Sequence, residues 1–109
     1  MSLIYHMLAR SAWEQRPAGP YRAESLATEG FIHCSYAAQV AWVANSFYRD
    51  QSDLRVLVVD PGKLTCPVRD EDPGIGQRFP HVFGEINPEA IVEVIELKRA
   101  ADGSWVFLG

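Results

Sequence analysis

Compact apolar runs along the chain predict several short strands. Residues 3–8 are apolar on both faces of an extended segment, so we expect a central strand that is covered on both sides. Residues 31–34 predict a second strand. Residues 54–59 predict another strand, which ends at the Asp60-Pro61-Gly62 turn signal.

The second half of the chain predicts a loop and a hairpin. Residues 70–78 form the longest polar stretch with Gly and Pro, which favours a mobile loop. The next segment contains Pro80, which cannot donate to a ladder, so we expect an edge strand or a bulge there. Residues 91–97 predict a late strand, and Asp102-Gly103 is a two-residue hairpin signal that returns the chain to residues 104–108.

Helical spacing of apolar residues is clearest after Ser35, which suits the N-cap of a helix. The helix should run to about residue 48 or 49, and its apolar stripe consists of Tyr36, Val40, Val43, Ala44 and Phe47. Two shorter helical segments are predicted before it, one capped by Ser11 and one over residues 25–29, with Gly30 as its C-terminal cap.

The order of these elements predicts an α+β fold. We expect about five to seven short strands and one main helix after the second strand. At 109 residues, with no internal repeat and no linker, the chain is expected to form a single domain over residues 1–109.

Charge and apolar length argue against long nucleic acids and membranes as partners. Fourteen acidic and ten basic residues give a net charge of −4, and no basic run exceeds the pair Lys98-Arg99. No stretch is long enough to span a bilayer and no signal peptide is evident, which indicates a cytoplasmic protein. Cys34 and Cys66 stand far apart and are expected to be free thiols. The sequence leaves open whether the protein forms a weak homodimer.

All three histidines, His6, His33 and His81, close a short apolar or aromatic run. Alternate residues of a strand share a face, so each imidazole would lie between apolar neighbours. A buried imidazole needs a partner for its ring N–H and tends to lose its charge. We therefore predict a pocket lined by histidine donors and acceptors, with His6 and His33 on adjacent strands of one cleft.

The segment from residue 29 to residue 35 is the most specific local feature. A strand that ends at a helix N-terminus would bring together His33, the Ser35 hydroxyl and free backbone N–H groups, which suits a phosphate or another anion. The alternative is that Ser35 only caps the helix and His33 is a core histidine. His81 and Gly84 would form a third wall, with Gly84 allowing a ligand close to the backbone. The alternative there is a turn that faces the core.

Several short motifs resemble a bacterial family of unknown activity. They are Ile4-Tyr5-His6, the segment from Ser25 to Ser35, Gln39-Val40, Val43-Ala44, Phe47-Tyr48, and Phe79-Pro80-His81 with Gly84. Together they resemble the family known as domain of unknown function 952, over essentially the whole chain. The resemblance places Ser25 and Ser35 among the expected ligand-binding residues.

This family is similar to the ADP-ribosyltransferase superfamily, which implies a split β-sheet core and NAD as the cofactor, without a metal. In that superfamily a first-strand histidine contacts the adenosine-side ribose, and an aromatic residue or histidine of the second strand stacks on nicotinamide. His6 and His33 match those positions. The nearest resemblance is to NAD-dependent RNA 2′-phosphotransferases, whose Gly-initiated strand ending His-Leu-Ser is similar to residues 30–35; their basic residues for RNA are missing here.

Many protein ADP-ribosyltransferases carry a catalytic glutamate at the start of a late strand. Glu85 and Glu89 flank the turn before the strand predicted at residues 91–97. The resemblance therefore offers either glutamate as the catalytic acid, together with His33.

Three functions remain open. The first is an NAD-dependent ADP-ribosyl or phospho transferase or hydrolase with an unknown acceptor, in which an acid stabilises an oxocarbenium-like transition state. The second is a non-catalytic nucleotide-binding module or sensor that lacks the acid. The third is a histidine-based phosphoesterase, which needs two His-x-Ser/Thr units; His33 and Ser35 supply one, but Val82-Phe83 follow His81. The histidine spacing supports no zinc site.

Overall fold

Two three-stranded antiparallel sheets form the core of the computed structural model, which describes residues 2–108. The first sheet contains β1 (Ile4–Ala9), β3 (Leu54–Val59) and β6 (Ile91–Glu96), in the order β1-β3-β6. The second contains β2 (Ile32–His33), β4 (Val68–Glu71) and β5 (Phe79–Val82), in the order β2-β5-β4. A small hairpin is formed by β7 (Lys98–Arg99) and β8 (Trp105–Val106).

Three short α-helices connect these strands: α1 (Arg10–Glu14), α2 (Glu24–Thr28) and α3 (Val40–Phe47). Single 3₁₀ turns occupy Ala37–Gln39, Pro61–Lys63 and Pro88–Ala90. The result is a small single α+β domain with mostly sheet and few helices, as the sequence predicted. Within residues 2–108, none of the helices has the length and apolar character that crossing a bilayer requires.

The two sheets meet where β1 passes the end of β2. Tyr5 and Ser35 exchange two backbone hydrogen bonds there, of 2.8 and 2.7 Å. One face of β1 contributes to a core that includes residues of both sheets, among them Ile32 and Val82. Its other face packs with α3 through Tyr5, Met7, Val40 and Ala44. The prediction that both faces of β1 are covered is therefore confirmed, but β1 lies at the edge of the three-stranded sheet, and β3 is its central strand.

The main helix begins later than predicted, and Ser35 is not its N-cap. The backbone N–H and C=O of Ser35 are both hydrogen-bonded to Tyr5. These bonds hold Ser35 in an extended conformation at the seam, the line along which β1 of the first sheet meets the end of β2 of the second. The 3₁₀ turn at Ala37–Gln39 follows, and there the Gln39 side chain accepts a 2.9 Å hydrogen bond from the Tyr36 N–H. Gly30 does end α2, with a φ of 88°.

Pro80 lies in the central strand of the second sheet, which corrects the prediction of an edge strand or bulge. The carbonyl of Pro80 accepts a bond from the Cys34 N–H, at 3.2 Å. The N–H and C=O of one strand residue face the same neighbour, so the donor that proline lacks is missing on the β2 side. The ladder with β2 is short at that point, since β2 ends at His33. The proline therefore costs one bond at the end of a ladder.

Gly84 leaves room for Cys66 rather than for a ligand. A Cβ on Gly84 would lie 2.5 Å from the Cys66 Cβ and 3.0 Å from its Sγ. The first distance is shorter than a Cβ contact tolerates and the second is unusually tight, so the expected close approach is made by the protein itself. Packing against Cys66 explains the glycine, and no ligand is needed to account for it.

We predict that Gly84→Ala lowers the free energy of unfolding by about 1–3 kcal/mol, because the added methyl overfills this contact. Urea denaturation measures the change. Gly62→Ala is the matched control, since its Cβ would meet only the Asp60 side chain, at 3.2 Å. In a Cys66→Gly background the cost of Gly84→Ala should largely disappear; equal costs in both backgrounds would contradict the packing account.

Candidate functional site

A cleft of about 400 Å³ opens between the second sheet and the C-terminal half of α3. Phe47 and Ile75 at this cleft are large apolar side chains that remain 64% and 50% exposed. Apolar side chains exposed beside a concave surface favour a ligand or partner that covers them. The lining residues are His33, Cys34, Ser35, Val43, Phe47, Tyr48, Pro73, Ile75, Phe79 and His81.

Two of the three histidines face each other at this cleft. His33 on β2 is the direct cross-strand partner of His81 on β5, which in turn is paired with Arg69 on β4. Directly opposed residues of paired strands lie on one face, so these side chains form a row across the sheet. The imidazole centroids of His33 and His81 are 5.5 Å apart, and Phe31 stacks on His81 with a centroid distance of 4.0 Å.

Each of the two histidines is paired with a carboxylate. His33 Nε2 donates to Glu29 at 3.0 Å, and both side chains are half exposed. His81 Nδ1 donates to Glu71 at 2.8 Å, but the His81 side chain is only 4% exposed. Nε2 of His81 is buried and has no hydrogen-bond partner among the described residues. Buried polar atoms nearly always form a hydrogen bond, so the missing partner of this nitrogen needs an explanation.

The loop that brings Pro73 and Ile75 to the cleft is held by one carboxylate. Asp72 Oδ1 accepts N–H bonds from Gly74, Ile75 and Gly76, at 2.8, 2.9 and 3.2 Å. These bonds lower the pKa of Asp72. Since β4 extends to Glu71, the predicted loop at residues 70–78 is shortened to 72–78.

His6 lies in the seam between the sheets instead of in the cleft. Its Nδ1–H donates to the His33 carbonyl at 2.7 Å, so Nε2 of the neutral ring accepts from the Tyr21 hydroxyl at 2.9 Å. Burial lowers the pKa of His6 to about 4, and burial also raises the pKa of Tyr21 to about 12. Both groups therefore keep the protonation that this pair of bonds requires near neutral pH.

The expectation that His6 and His33 share one cleft is thus wrong for His6, because both of its ring nitrogens are used by the protein. Ser35 lies in the lining, whereas Ser25 does not: its hydroxyl donates to the Phe31 carbonyl at 2.7 Å. That bond holds the turn before β2. Ser25 is therefore accounted for by local structure.

Neither glutamate offered as the catalytic acid lines the cleft. Glu85 is exposed and forms an ion pair with Arg22 at 3.4 Å. Glu89 is exposed in the 3₁₀ turn before β6 and accepts a 3.2 Å bond from Asn87. The turn that carries them leads into the first sheet, while the cleft borders the second.

The charge around the cleft favours a neutral or cationic ligand there. Its lining contains no Lys or Arg, and the carboxylates of Glu29 and Glu71 lie behind its two histidines. The C-terminal end of α3, at Phe47 and Tyr48, also contributes to the wall. Helix C-termini carry a partial negative charge. His33 and Ser35 of the predicted anion site therefore line the cleft, but the N-terminus of the main helix does not.

Comparison with known proteins identifies the family. The model of a family described as "Protein of unknown function (DUF952)" matches residues 7–94. The chain belongs to the DUF952 family. The crystal structure of protein CC0527 from Caulobacter crescentus is similar to this chain, with a TM-score of 0.83 and 29% identity, over 96% of this chain and 94% of that one.

The solution NMR structure of CC0527 is similar as well, with a TM-score of 0.78 and 28% identity, over 95% of this chain and 91% of that one. A search among curated proteins finds no match. The comparisons therefore establish the family and the fold of this DUF952 protein.

Sequence reasoning missed two parts of this DUF952 site. Glu71 falls in a stretch that was predicted to be a loop, so nothing in the sequence paired it with His81. Phe47 and Tyr48 were assigned to the helix, but only the tertiary packing turns the end of that helix toward the cleft. Phe79 could have been found, because strand alternation places it on the same face as His81.

Residues 2–108 contain no cluster of three or more His, Cys, Asp or Glu side chains that could hold a metal ion.

The buried state of His6 predicts a pH dependence of stability. Unfolded His6 binds a proton below pH 6.5, but folded His6 does so only near pH 4. The unfolded state therefore binds more protons in this window, and the stabilisation is complete above it and is lost as the pH falls through it. The loss amounts to about 3 kcal/mol.

Urea denaturation between pH 4 and pH 7 measures this loss in the wild type and in His6→Gln, whose amide can still donate and accept. Other titrating groups contribute to both curves equally, so their difference isolates His6. If the free energy of unfolding fell equally with pH in the wild type and in His6→Gln, the loss of stability in acid could not be assigned to His6.

Proposed function

We propose that this DUF952 protein binds a nucleotide of the NAD type, with the nicotinamide end in the cleft. The observation that carries the proposal is the buried, unpartnered Nε2 of His81, a residue that lines a cleft of flat and apolar side chains. Small-molecule sites are mostly apolar with a few placed polar groups, and about 400 Å³ lies in their range. A volume at the lower end of that range suits one end of a dinucleotide.

The arrangement of the strands is compatible with the ADP-ribosyltransferase resemblance on which this proposal draws. The resemblance implies a split β-sheet core with one main helix after the second strand. Here the two sheets separate between β1 and β2, and α3 follows β2. His33, which the resemblance assigns to nicotinamide, lies in the cleft.

The distribution of charge also suits this orientation of the ligand. The oxidised nicotinamide ring is cationic, and the carboxylates of Glu29 and Glu71 favour a cation near the two histidines. The phosphates need a positive partner outside the cleft. Arg69 is exposed, lies in the row next to His81, and extends over the Phe83 ring, 4.8 Å from its centroid.

A binding module or sensor fits the site better than a transferase that uses Glu85 or Glu89. A catalytic acid must come within hydrogen-bond reach of the reacting ribose. Both glutamates lie outside the cleft, in exposed positions with partners of their own. If the protein does cleave NAD, the acid must be Glu29 or Glu71, the carboxylates that contact the cleft histidines.

The histidine-based phosphoesterase is less well supported. Its two histidines do oppose each other, but the position two residues after His81 is Phe83, which packs on Phe31 with a centroid distance of 5.3 Å. An aromatic side chain there cannot replace the second hydroxyl that the paired device needs.

We expect NAD to shift the NMR resonances of Ser35, Phe79 and Ile75 in the presence of a metal chelator, because these residues line the cleft. Arg69→Gln should weaken NAD binding and leave nicotinamide binding unchanged, since only NAD carries phosphates. Absence of shifts at millimolar NAD, or shifts that require zinc, would overturn the proposal.

We also expect Glu85→Gln and Glu89→Gln to keep the wild-type affinity for NAD and any background release of nicotinamide. Neither side chain contacts the cleft, so neither can stabilise a transition state formed there. Nicotinamide release and NAD titration measure the two quantities. A loss of release by orders of magnitude at unchanged affinity, in either variant, would restore that glutamate as the catalytic acid.

A further inference from the structure

One ring nitrogen of His81, a buried histidine that lines the cleft, has no hydrogen-bond partner among the described residues. His81 is 3% exposed, is stacked on Phe31, and belongs to the lining of the cleft. The Glu71 carboxylate can only accept, so it fixes the proton of the imidazole on Nδ1. In the neutral ring, Nε2 then carries a lone pair, and no described residue donates to it.

We propose that Nε2 of His81, oriented by Glu71, accepts a hydrogen bond from a ligand N–H, and that the cleft therefore selects a flat ring that bears a carboxamide. This inference rests on the proposed function and names the group that decides its specificity. Glu71 acts as a positioning residue, and His81 contacts the ligand.

The surroundings of His81 favour this donor over other ligand groups. A carboxylate on the ligand would find no cation in the lining and would lie near the carboxylates of Glu29 and Glu71. A ketone or ester offers an acceptor to an atom that is itself an acceptor. A carboxamide on a flat ring supplies the N–H, and Phe79 and Tyr48 supply apolar surface for the ring.

The alternative state of His81 makes the opposite prediction. A charged ring would present a buried N–H at Nε2 and would choose a carbonyl or a carboxylate on the ligand. A charged ring with an unpartnered N–H would leave both a charge and a donor buried without compensation. The proposal therefore takes the neutral ring, and the ligand series below separates the two states.

The test compares three small rings at neutral pH in the intact protein: nicotinamide, 3-acetylpyridine and nicotinic acid. 3-Acetylpyridine keeps the shape and the carbonyl of nicotinamide but has a methyl group in place of the amide nitrogen. We expect nicotinamide to bind tighter than either analogue by on the order of tenfold, since a buried acceptor loses its only donor in both.

His81→Phe keeps an aromatic ring against Phe31 and removes the acceptor, so the preference for nicotinamide over 3-acetylpyridine should fall to about equal affinity. Glu85→Gln is the matched control: it removes one negative charge outside the cleft and should keep the full preference. The ¹⁵N resonance of His81 Nε2 in the wild type gives a readout that needs no variant, and it should move toward the hydrogen-bonded position with nicotinamide alone.

Each result of these experiments either supports the inference or overturns it. Equal binding of the three rings, a preference for nicotinic acid, or a preference that persists in His81→Phe would overturn it while leaving nucleotide binding in place. An Nε2 resonance that ignores nicotinamide would do the same. If neither nicotinamide nor NAD binds, the proposed function fails and the inference fails with it.

Discussion

The hydrogen bonds of His6 connect the two sheets, and the geometry of the cleft depends on them. Nδ1–H of His6 holds the His33 carbonyl, and the Tyr21 hydroxyl holds Nε2. The backbone exchange between Tyr5 and Ser35 continues the same seam. Because the backbone of β2 is fixed against β1 in this way, the His33 side chain has a defined place opposite His81. A buried imidazole with two partners is stable only while it is neutral, so the seam is strong near neutral pH and weak in acid.

The second sheet turns this fixed backbone into a site. Its ladder between β2 and β5 is short, and Pro80 removes a donor where β2 ends. The chain leaves the sheet at Ser35, and α3 then returns over the sheet to form the other wall of the cleft. Asp72 fixes the loop that completes the rim. The polar groups at the floor are two histidines, each with its own carboxylate, so the ligand chemistry depends on which ring nitrogens remain free.

Local patterns in the sequence were sufficient for the α+β class, the strand at residues 54–59, the main helix and the Asp102-Gly103 turn. They were also sufficient to select His33, Ser35 and His81 as residues of one pocket. They failed where tertiary pairing decides the outcome. The alternation that places His6 on a strand face does not say which other chain segment reaches that face, and here Tyr21 and the His33 carbonyl reach it first.

The same limit explains why Glu85 and Glu89 were expected at the site, why Glu71 was missed, and why Pro80 was expected in an edge strand. Glu85 and Glu89 were chosen for their position before a late strand, but that strand belongs to the sheet away from the cleft. Glu71 reaches His81 only because β4 pairs with β5, at a register that the polar sequence around it hides. Pro80 argued for an edge strand, because sequence cannot show that β2 ends where the missing donor would fall.

The most direct test of the account is a crystal structure of the protein grown with NAD. The account predicts density for the nicotinamide ring between Phe79 and Tyr48, its amide nitrogen within hydrogen-bond distance of His81 Nε2, and the phosphates toward Arg69. NAD bound elsewhere on the protein, or an amide turned away from His81 with Nε2 still unpartnered, would contradict it.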